Sequence, residues 1–97
     1  MGVEIRKSDI VRAAAGRDKG LLFFVIDIEG EFARIANGKQ RRLEKPKSKK
    51  LKHLTYVAKS DSRTGEKLRS GEKVTNNDLR RALASFNAEQ DGVKGGM

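Results

Sequence analysis

The stretch LLFFVIDI, residues 21–28, is the most apolar run in the chain and decides its fold class. It is rich in aromatic and β-branched side chains and too short for an ordinary helix, so it predicts a β-strand. Because side chains alternate between the two sides of a strand, the run presents two faces. We predict that the unbroken apolar face points into the main core. That face is formed by Leu22, Phe24, Ile26 and Ile28.

The segments after this strand predict further short strands joined by tight turns. EGE, residues 29–31, reads as a turn, and Asn37–Gly38 is typical of a two-residue hairpin because both residues tolerate positive φ. Pro46 ends the return strand or lies at a sheet edge, since proline has no N–H to donate. Strands at this spacing predict a small, closed or nearly closed antiparallel barrel. The strands are expected over residues 32–36, 39–45 and 51–58.

Residues 9–15, DIVRAAA, fit either a strand or a helix. Ile10 and Val11 could open a strand, whereas the alanine run and a stop at Gly16 favour a helix. Local propensity leans toward the helix, and the residues by themselves leave both structures open.

Residues 74–88, VTNNDLRRALASFNA, predict an amphipathic helix. Thr75 suits its N-cap, and Asp78 follows three residues later, where a negative charge favours the helix dipole. One apolar stripe stands at helical spacing, and it consists of Leu79, Ala82, Leu83 and Phe86. A helix this short is marginal alone, so we predict that it covers the second face of the 21–28 strand. That face is formed by Leu21, Phe23 and Val25.

The remaining segments complete the expected organisation. Residues 59–73 are polar and predict a linker with one helical turn at 66–69, and residues 89–97 have the composition of a flexible tail. The strands before them, within 8–58, form the expected barrel. The predicted fold class is therefore mostly β, with a C-terminal helix.

Positive charge is concentrated in one segment. The net charge of the 97-residue chain is +9, and residues 39–53, KQRRLEKPKSKKLKH, hold eight Lys/Arg against one acid. Such a focused field attracts polyanions, nucleic acid first and an anionic membrane surface second. We predict phosphate contacts from its basic side chains: Lys39, Arg41, Arg42, Lys45, Lys47, Lys49, Lys50 and Lys52. His53 fits either a stacking or hydrogen-bonding contact to RNA or a plain surface histidine.

The composition also limits the chemistry that we expect. There is no cysteine and only one histidine, which leaves no thiolate nucleophile and no site that needs two imidazoles. Asp27, Glu29 and Glu31 alternate near a turn without a partner base and read as a solvated edge. We expect no enzymatic activity, no cofactor and no metal. No apolar run approaches the length of a membrane span, so a cytoplasmic protein, monomeric when free, is expected.

The loop AGRDKG, residues 15–20, precedes the long strand. It lacks the Gly-Lys-Ser/Thr ending of a P-loop, and its glycines instead supply positive φ or close backbone approach. Asp18 is expected to organise the turn through backbone bonds, while Arg17 and Lys19 are exposed at the tip and available to RNA. A purely structural loop is the alternative.

The segment DIVRAAAGRDKGLLFFVIDIEGEFARIANGKQRRLEKPK resembles the KOW motif of translation and transcription proteins. The matching positions are Ile10–Val11, Gly16, Arg17–Asp18–Lys19, Gly20 and the register of Phe24, Ile26 and Ile28. The resemblance covers about residues 8–58, and it extends to small bacterial KOW-domain RNA-binding proteins similar to eukaryotic and archaeal large-subunit ribosomal proteins.

This resemblance implies a Src-homology-3-type barrel that binds RNA, above all ribosomal RNA in the large subunit. It also implies a strand, not a helix, at residues 9–15. KOW barrels of transcription factors touch RNA polymerase, so a protein-interaction module using an exposed Phe23 face is the alternative. A nonspecific binder driven by charge alone is the third hypothesis.

Overall fold

The computed structural model describes residues 4–95 and contains one antiparallel sheet followed by two helices. The strands lie in the order β4-β3-β2-β1-β5, and a 3-10 turn at Leu51–His53 joins β4 to β5. The expected mostly-β class with a C-terminal helix is confirmed. The elements are β1 Ile10–Ala13, β2 Leu22–Glu29, β3 Phe32–Ala36, β4 Lys47–Lys50, β5 Leu54–Ala58, α1 Arg63–Ser70 and α2 Asn76–Gly95.

Strand β1 resolves the ambiguity at residues 9–15 in favour of the strand. Ile10 pairs with Phe24 of β2, and Val11 lies between Phe23 of β2 and Tyr56 of β5. Both side chains are almost fully buried, on opposite sides of the sheet. Pairing on two edges and burial on two faces override the helical preference of the alanine run.

Strand β2 is buried on both faces, and the predicted division between a main and a secondary face is wrong. Phe23 and Val25 have no exposed surface and lie in the cluster that the strands build among themselves, with Val11 and Ile35. A β-bulge between Val25 and Asp27 restarts the alternation. Ile28 therefore packs with the Phe23 cluster instead of following Phe24.

Helix α2 covers the opposite side of β2 from the one predicted. Leu79 and Leu83 pack against Leu22 and Phe24, together with Leu68 of α1. Strand side chains already fill the space around Phe23, so the face left open for a helix is the Leu22 face. The N-terminus of α2 has the expected cap.

That cap is a reciprocal pair of hydrogen bonds. The Asp78 N–H donates to Thr75 Oγ1, and the Thr75 N–H donates to Asp78 Oδ2, both at 3.1 Å. Helix α2 then continues to Gly95, beyond the predicted end at residue 88, so the expected tail 89–97 is helical up to that point, and residues 96–97 lie outside the described part.

The predicted strand at 39–45 is wrong, because Asn37 organises a wide loop instead of a two-residue hairpin turn. Its Oδ1 accepts hydrogen bonds from the backbone N–H groups of Lys39 at 3.1 Å and Arg41 at 3.0 Å. The Arg41 carbonyl accepts the Asn37 N–H at 2.8 Å. These bonds close the chain on itself and leave no extended backbone for a ladder with β3.

Residues 37–46 therefore form a loop, called the 37–46 loop below, where the return strand was predicted. The strand that returns along β3 is β4. Pro46 directly precedes β4, an edge strand of the sheet, as one of its two predicted positions requires. The predicted strand 51–58 is shortened by the 3-10 turn, and the expected linker 59–73 contains α1. Ser62 caps α1 by accepting the Gly65 N–H at 3.1 Å.

Candidate nucleic-acid interface

The loop between β1 and β2, residues 14–21 and called the β1–β2 loop below, is held by its own backbone. The Gly20 N–H donates to the Ala13 carbonyl at 2.8 Å, and the Lys19 N–H donates to the Gly16 carbonyl at 3.2 Å. Gly16 and Gly20 have φ of 85° and 91°, a region that L side chains rarely adopt. The structural role predicted for these two glycines is confirmed.

Asp18 makes the expected local turn bond with its backbone, since its carbonyl accepts the Leu21 N–H at 2.9 Å, and its side chain joins two loops that are distant in sequence. Its side chain is 10% exposed, and its Oδ2 accepts a hydrogen bond from Nε of Arg41 at 2.8 Å. Arg41 belongs to the 37–46 loop, 23 residues later. The ion pair therefore fixes the AGRDKG loop to the segment with the highest density of positive charge.

Two more basic residues meet the same loop at its base. Lys49 of β4 donates from Nζ to the Ala15 carbonyl at 2.8 Å. On the other side, the His53 carbonyl accepts the Ala14 N–H at 2.9 Å. The β1–β2 loop thus contacts three basic segments that are separate in sequence: the 37–46 loop, β4 and the 3-10 turn.

The tip of the β1–β2 loop is exposed where these segments converge. Arg17 and Lys19 are both exposed, and each stands next to Asp18, which is fixed to Arg41. Lys47 is exposed on the same side of β4 as Lys49, since it pairs with Ile35 while Lys49 pairs with Ala33. We call Arg17, Lys19, Arg41, Lys47 and Lys49 the basic cluster.

The other predicted phosphate contacts lie around this cluster or away from it. Lys50 points to the opposite face of β4, because it pairs with the exposed Phe32. Arg42 is engaged by Glu44 through an exposed ion pair at 3.1 Å. Both belong to the predicted set, but the structure does not bring them to the β1–β2 loop. Exposed side chains elsewhere in the basic segment are Lys39, Lys45 and Lys52.

Helix α2 holds the 37–46 loop in place through hydrogen bonds, a role that no sequence pattern indicated. Asn76 accepts the Leu43 N–H on its Oδ1 at 2.7 Å, and Arg80 donates from Nη1 to the Gly38 carbonyl at 2.7 Å. A side chain at Gly38 would collide with the Asn76 backbone. The loop that carries Arg41 is therefore packed between the sheet and the start of α2.

Glu44 is the acidic member of this contact. It accepts a hydrogen bond from Asn76 Nδ2 and a further one from Arg42, and these bonds lower its pKa from 4.5 to about 2. The ionised form is favoured in the folded protein, so the contact stabilises the fold above the ordinary pKa of a glutamate. Its stabilising effect fades as the pH falls from about 4.5 to about 2.

We expect Glu44→Gln to lower the thermal midpoint at pH 7 and to have a much smaller effect at pH 2.5. The folded pKa lies below the unfolded one, so the charge stabilises at neutral pH and is lost on acidification. The measurement is the midpoint difference between the variant and the wild type at both pH values. A difference that is the same at both would show that the charge of Glu44 does not matter.

Asp27, one of the acidic residues at the end of β2, is engaged by an arginine. The Asp27 carboxylate accepts two hydrogen bonds from Arg34, at 2.9 and 2.6 Å, and this bonding lowers its pKa. The pair lies on the face of β3 opposite to Ala33 and Ile35, the residues that pair with Lys49 and Lys47. Among the side chains of residues 4–88, no group of His, Cys, Asp and Glu is arranged to hold a metal ion.

Two further observations concern the alternative partners. Phe23 is completely buried, so the prediction that a protein-interaction module exposes a Phe23 face is wrong. Phe32 is instead the exposed large apolar side chain in the described part of the chain, at 43%. None of the helices within residues 4–95 is long and apolar enough to cross a bilayer.

Comparison of the chain with models of protein families and with curated proteins gives no match.

Proposed function

We propose that this protein binds RNA through the basic cluster and that the RNA is ribosomal RNA of the large subunit. The observation that carries the proposal is the convergence of three basic segments on the β1–β2 loop, which itself carries Arg17 and Lys19. Closely spaced cations on a rigid frame match the phosphate backbone, which supplies most of the affinity of such interfaces. The resemblance of residues 8–58 to the KOW motif supports RNA of the translation apparatus.

The same resemblance suggests a Src-homology-3-type barrel. The strand order β4-β3-β2-β1-β5, with a 3-10 turn between its two edge strands, supports this type of fold. The Leu51 N–H donates to the Glu31 carbonyl and the Ala14 N–H to the His53 carbonyl, both at 2.9 Å. These bonds tie the connection between the two edge strands to the start of β3 and to the end of β1, an arrangement that favours a sheet curved toward closure.

The aromatic side chains support structured RNA over single strands. Phe23 and Phe24 are in the core and fully buried. A platform for successive unpaired bases needs several exposed aromatic rings, and β3 offers only Phe32. Phosphate and shape recognition therefore suit this surface better than reading of single-stranded sequence.

Sedimentation of a cell lysate through sucrose gradients at low and high salt tests the proposal. We expect the protein to travel with the large ribosomal subunit and to remain there at moderate salt. Travel with RNA polymerase would favour a transcription partner. Loss from every fraction at moderate salt would indicate a nonspecific binder held by charge alone.

A further inference from the structure

We infer that Asp18 is a positioning residue for RNA binding and that Arg41 is its anchor, not a phosphate contact. The inference rests on the proposed function and makes it more specific. The Asp18 carboxylate is almost buried and holds Nε of Arg41 at 2.8 Å, whereas Arg17 and Lys19 on either side of it are exposed. The acid thus sits among basic residues, where its negative charge weakens the attraction of the surface for a polyanion.

The neighbouring contacts explain why one ion pair has this effect. The β1–β2 loop is bonded to β4 and the 3-10 turn only near its base, at Ala15 and Ala14. Its tip has Asp18 as its link to the 37–46 loop. That loop is in turn fixed to α2 through Leu43. Asp18 therefore connects the exposed tip to the helix through a chain of specific bonds.

A β1–β2 loop that is held in position before binding lowers the entropic cost of binding RNA. Without this link the tip would keep only its local bonds, and the position of Arg17 and Lys19 relative to the 37–46 loop would have to be fixed when RNA binds. With Asp18 bound to Arg41, the loop is ordered before RNA arrives. The side chain of Arg41 is only 30% exposed and its Nε already donates to a carboxylate, so Arg41 is a poorer partner for a phosphate than the exposed Arg17 and Lys19.

Asp18→Asn separates this inference from a simple effect of charge, because the two predict opposite signs. Removing one negative charge and releasing Arg41 would tighten RNA binding if charge decided the affinity. If Asp18 positions the loop, binding to a labelled stem-loop RNA weakens, by about tenfold for two side chains that must be ordered again. The affinities are measured by fluorescence anisotropy on the full chain.

Asp27→Asn is the matched control. It makes the same change in charge and breaks a more exposed ion pair, with Arg34, on the face of β3 opposite to Ala33 and Ile35. We expect its affinity for the stem-loop to stay within about twofold of the wild type, because the pair is exposed and touches no loop of the basic cluster. The thermal midpoints of both variants show that the protein is folded at the assay temperature.

Arg41→Gln gives a second readout if Asp18→Asn folds poorly. We expect weaker binding with an unchanged dependence on salt, since no phosphate contact is lost. If Arg41 touched a phosphate, the slope of log affinity against log salt would fall by about 0.7–0.9. The double variant Asp18→Asn/Arg41→Gln has the same net charge as the wild type. We nevertheless expect it to bind RNA as weakly as either single variant.

The outcomes distinguish this inference from the proposed function. A wild-type chain that binds no RNA contradicts the proposed function, and the role of Asp18 falls with it. A wild-type chain that binds, with an Asp18→Asn variant that binds equally or more tightly, overturns the inference alone. So does a reduced salt slope for Arg41→Gln.

Discussion

Replacing Arg17, Lys19 and Lys47 together by glutamine is expected to weaken RNA binding by about 100-fold at about 0.1 M salt. All three side chains are exposed and converge on the β1–β2 loop. Each phosphate that a cation neutralises releases counterions, so the losses combine across the three positions. The affinity for a stem-loop RNA, measured by fluorescence anisotropy, checks this expectation.

A control with the same change in charge separates the site from the net charge. Lys59 and Lys73 are exposed on the connections before and after α1, and Arg63 is exposed at its first residue, all outside the basic cluster. Replacing these three by glutamine is expected to change the affinity by less than about fivefold, through the long-range field alone. Equal losses in the two triple variants would contradict a localised binding surface.

Replacing Leu79 by alanine is expected to lower the free energy of unfolding strongly. Leu79 has no exposed surface and fills the space between α2 and the Leu22–Phe24 face of β2. Truncation of such a side chain costs about 3 kcal/mol through lost burial and the cavity left behind. For a domain of this size the thermal midpoint should fall by about 12–24 °C.

The control for this variant is Arg81→Ala, on the exposed side of the same helix. Its midpoint should stay within a few degrees, because a surface substitution of this kind costs about 0.5 kcal/mol or less. A Leu79→Ala protein with an unchanged midpoint would mean that α2 does not pack on β2. It would also remove the support that α2 gives to the 37–46 loop.

Local signals were sufficient for several elements. The turn at residues 29–31, strand β3 and the Thr75–Asp78 cap of α2 lie where the sequence predicts them. Each depends on a few neighbouring residues, such as a glycine that allows a turn or a hydroxyl that accepts an N–H. β2 also lies almost where the apolar run predicts it.

The errors share a cause that a local pattern does not contain. The bulge after Val25 moved Ile28 to the other face, and the side chain of Asn37 replaced a hairpin turn by a wide loop. The first depends on how β2 pairs with β3, and the second on which of several hydrogen bonds the Asn37 side chain forms. The position of α2 depends on which face of β2 the other strands leave open, which is a property of the whole sheet.

The candidate site, too, could be predicted only in part from the sequence. The basic residues themselves could be listed from charge and from the AGRDKG pattern. Their convergence could not, because the bond between Asp18 and Arg41 joins residues 23 apart and the one between Lys49 and Ala15 joins residues 34 apart. Asp18 takes part in its local turn through its carbonyl, as predicted, but the bond of its side chain to Arg41 was not predicted, because that partner lies in a loop predicted as a strand.

The central claim is that Arg17, Lys19 and Lys47 touch RNA phosphates, and the salt dependence of binding tests it most directly. Log affinity is plotted against log salt for the wild type, the triple variant of the basic cluster and the control variant around α1. We predict a slope that is less steep by about 2–3 for the first variant and unchanged for the control. The same slope for all three proteins would contradict the claim.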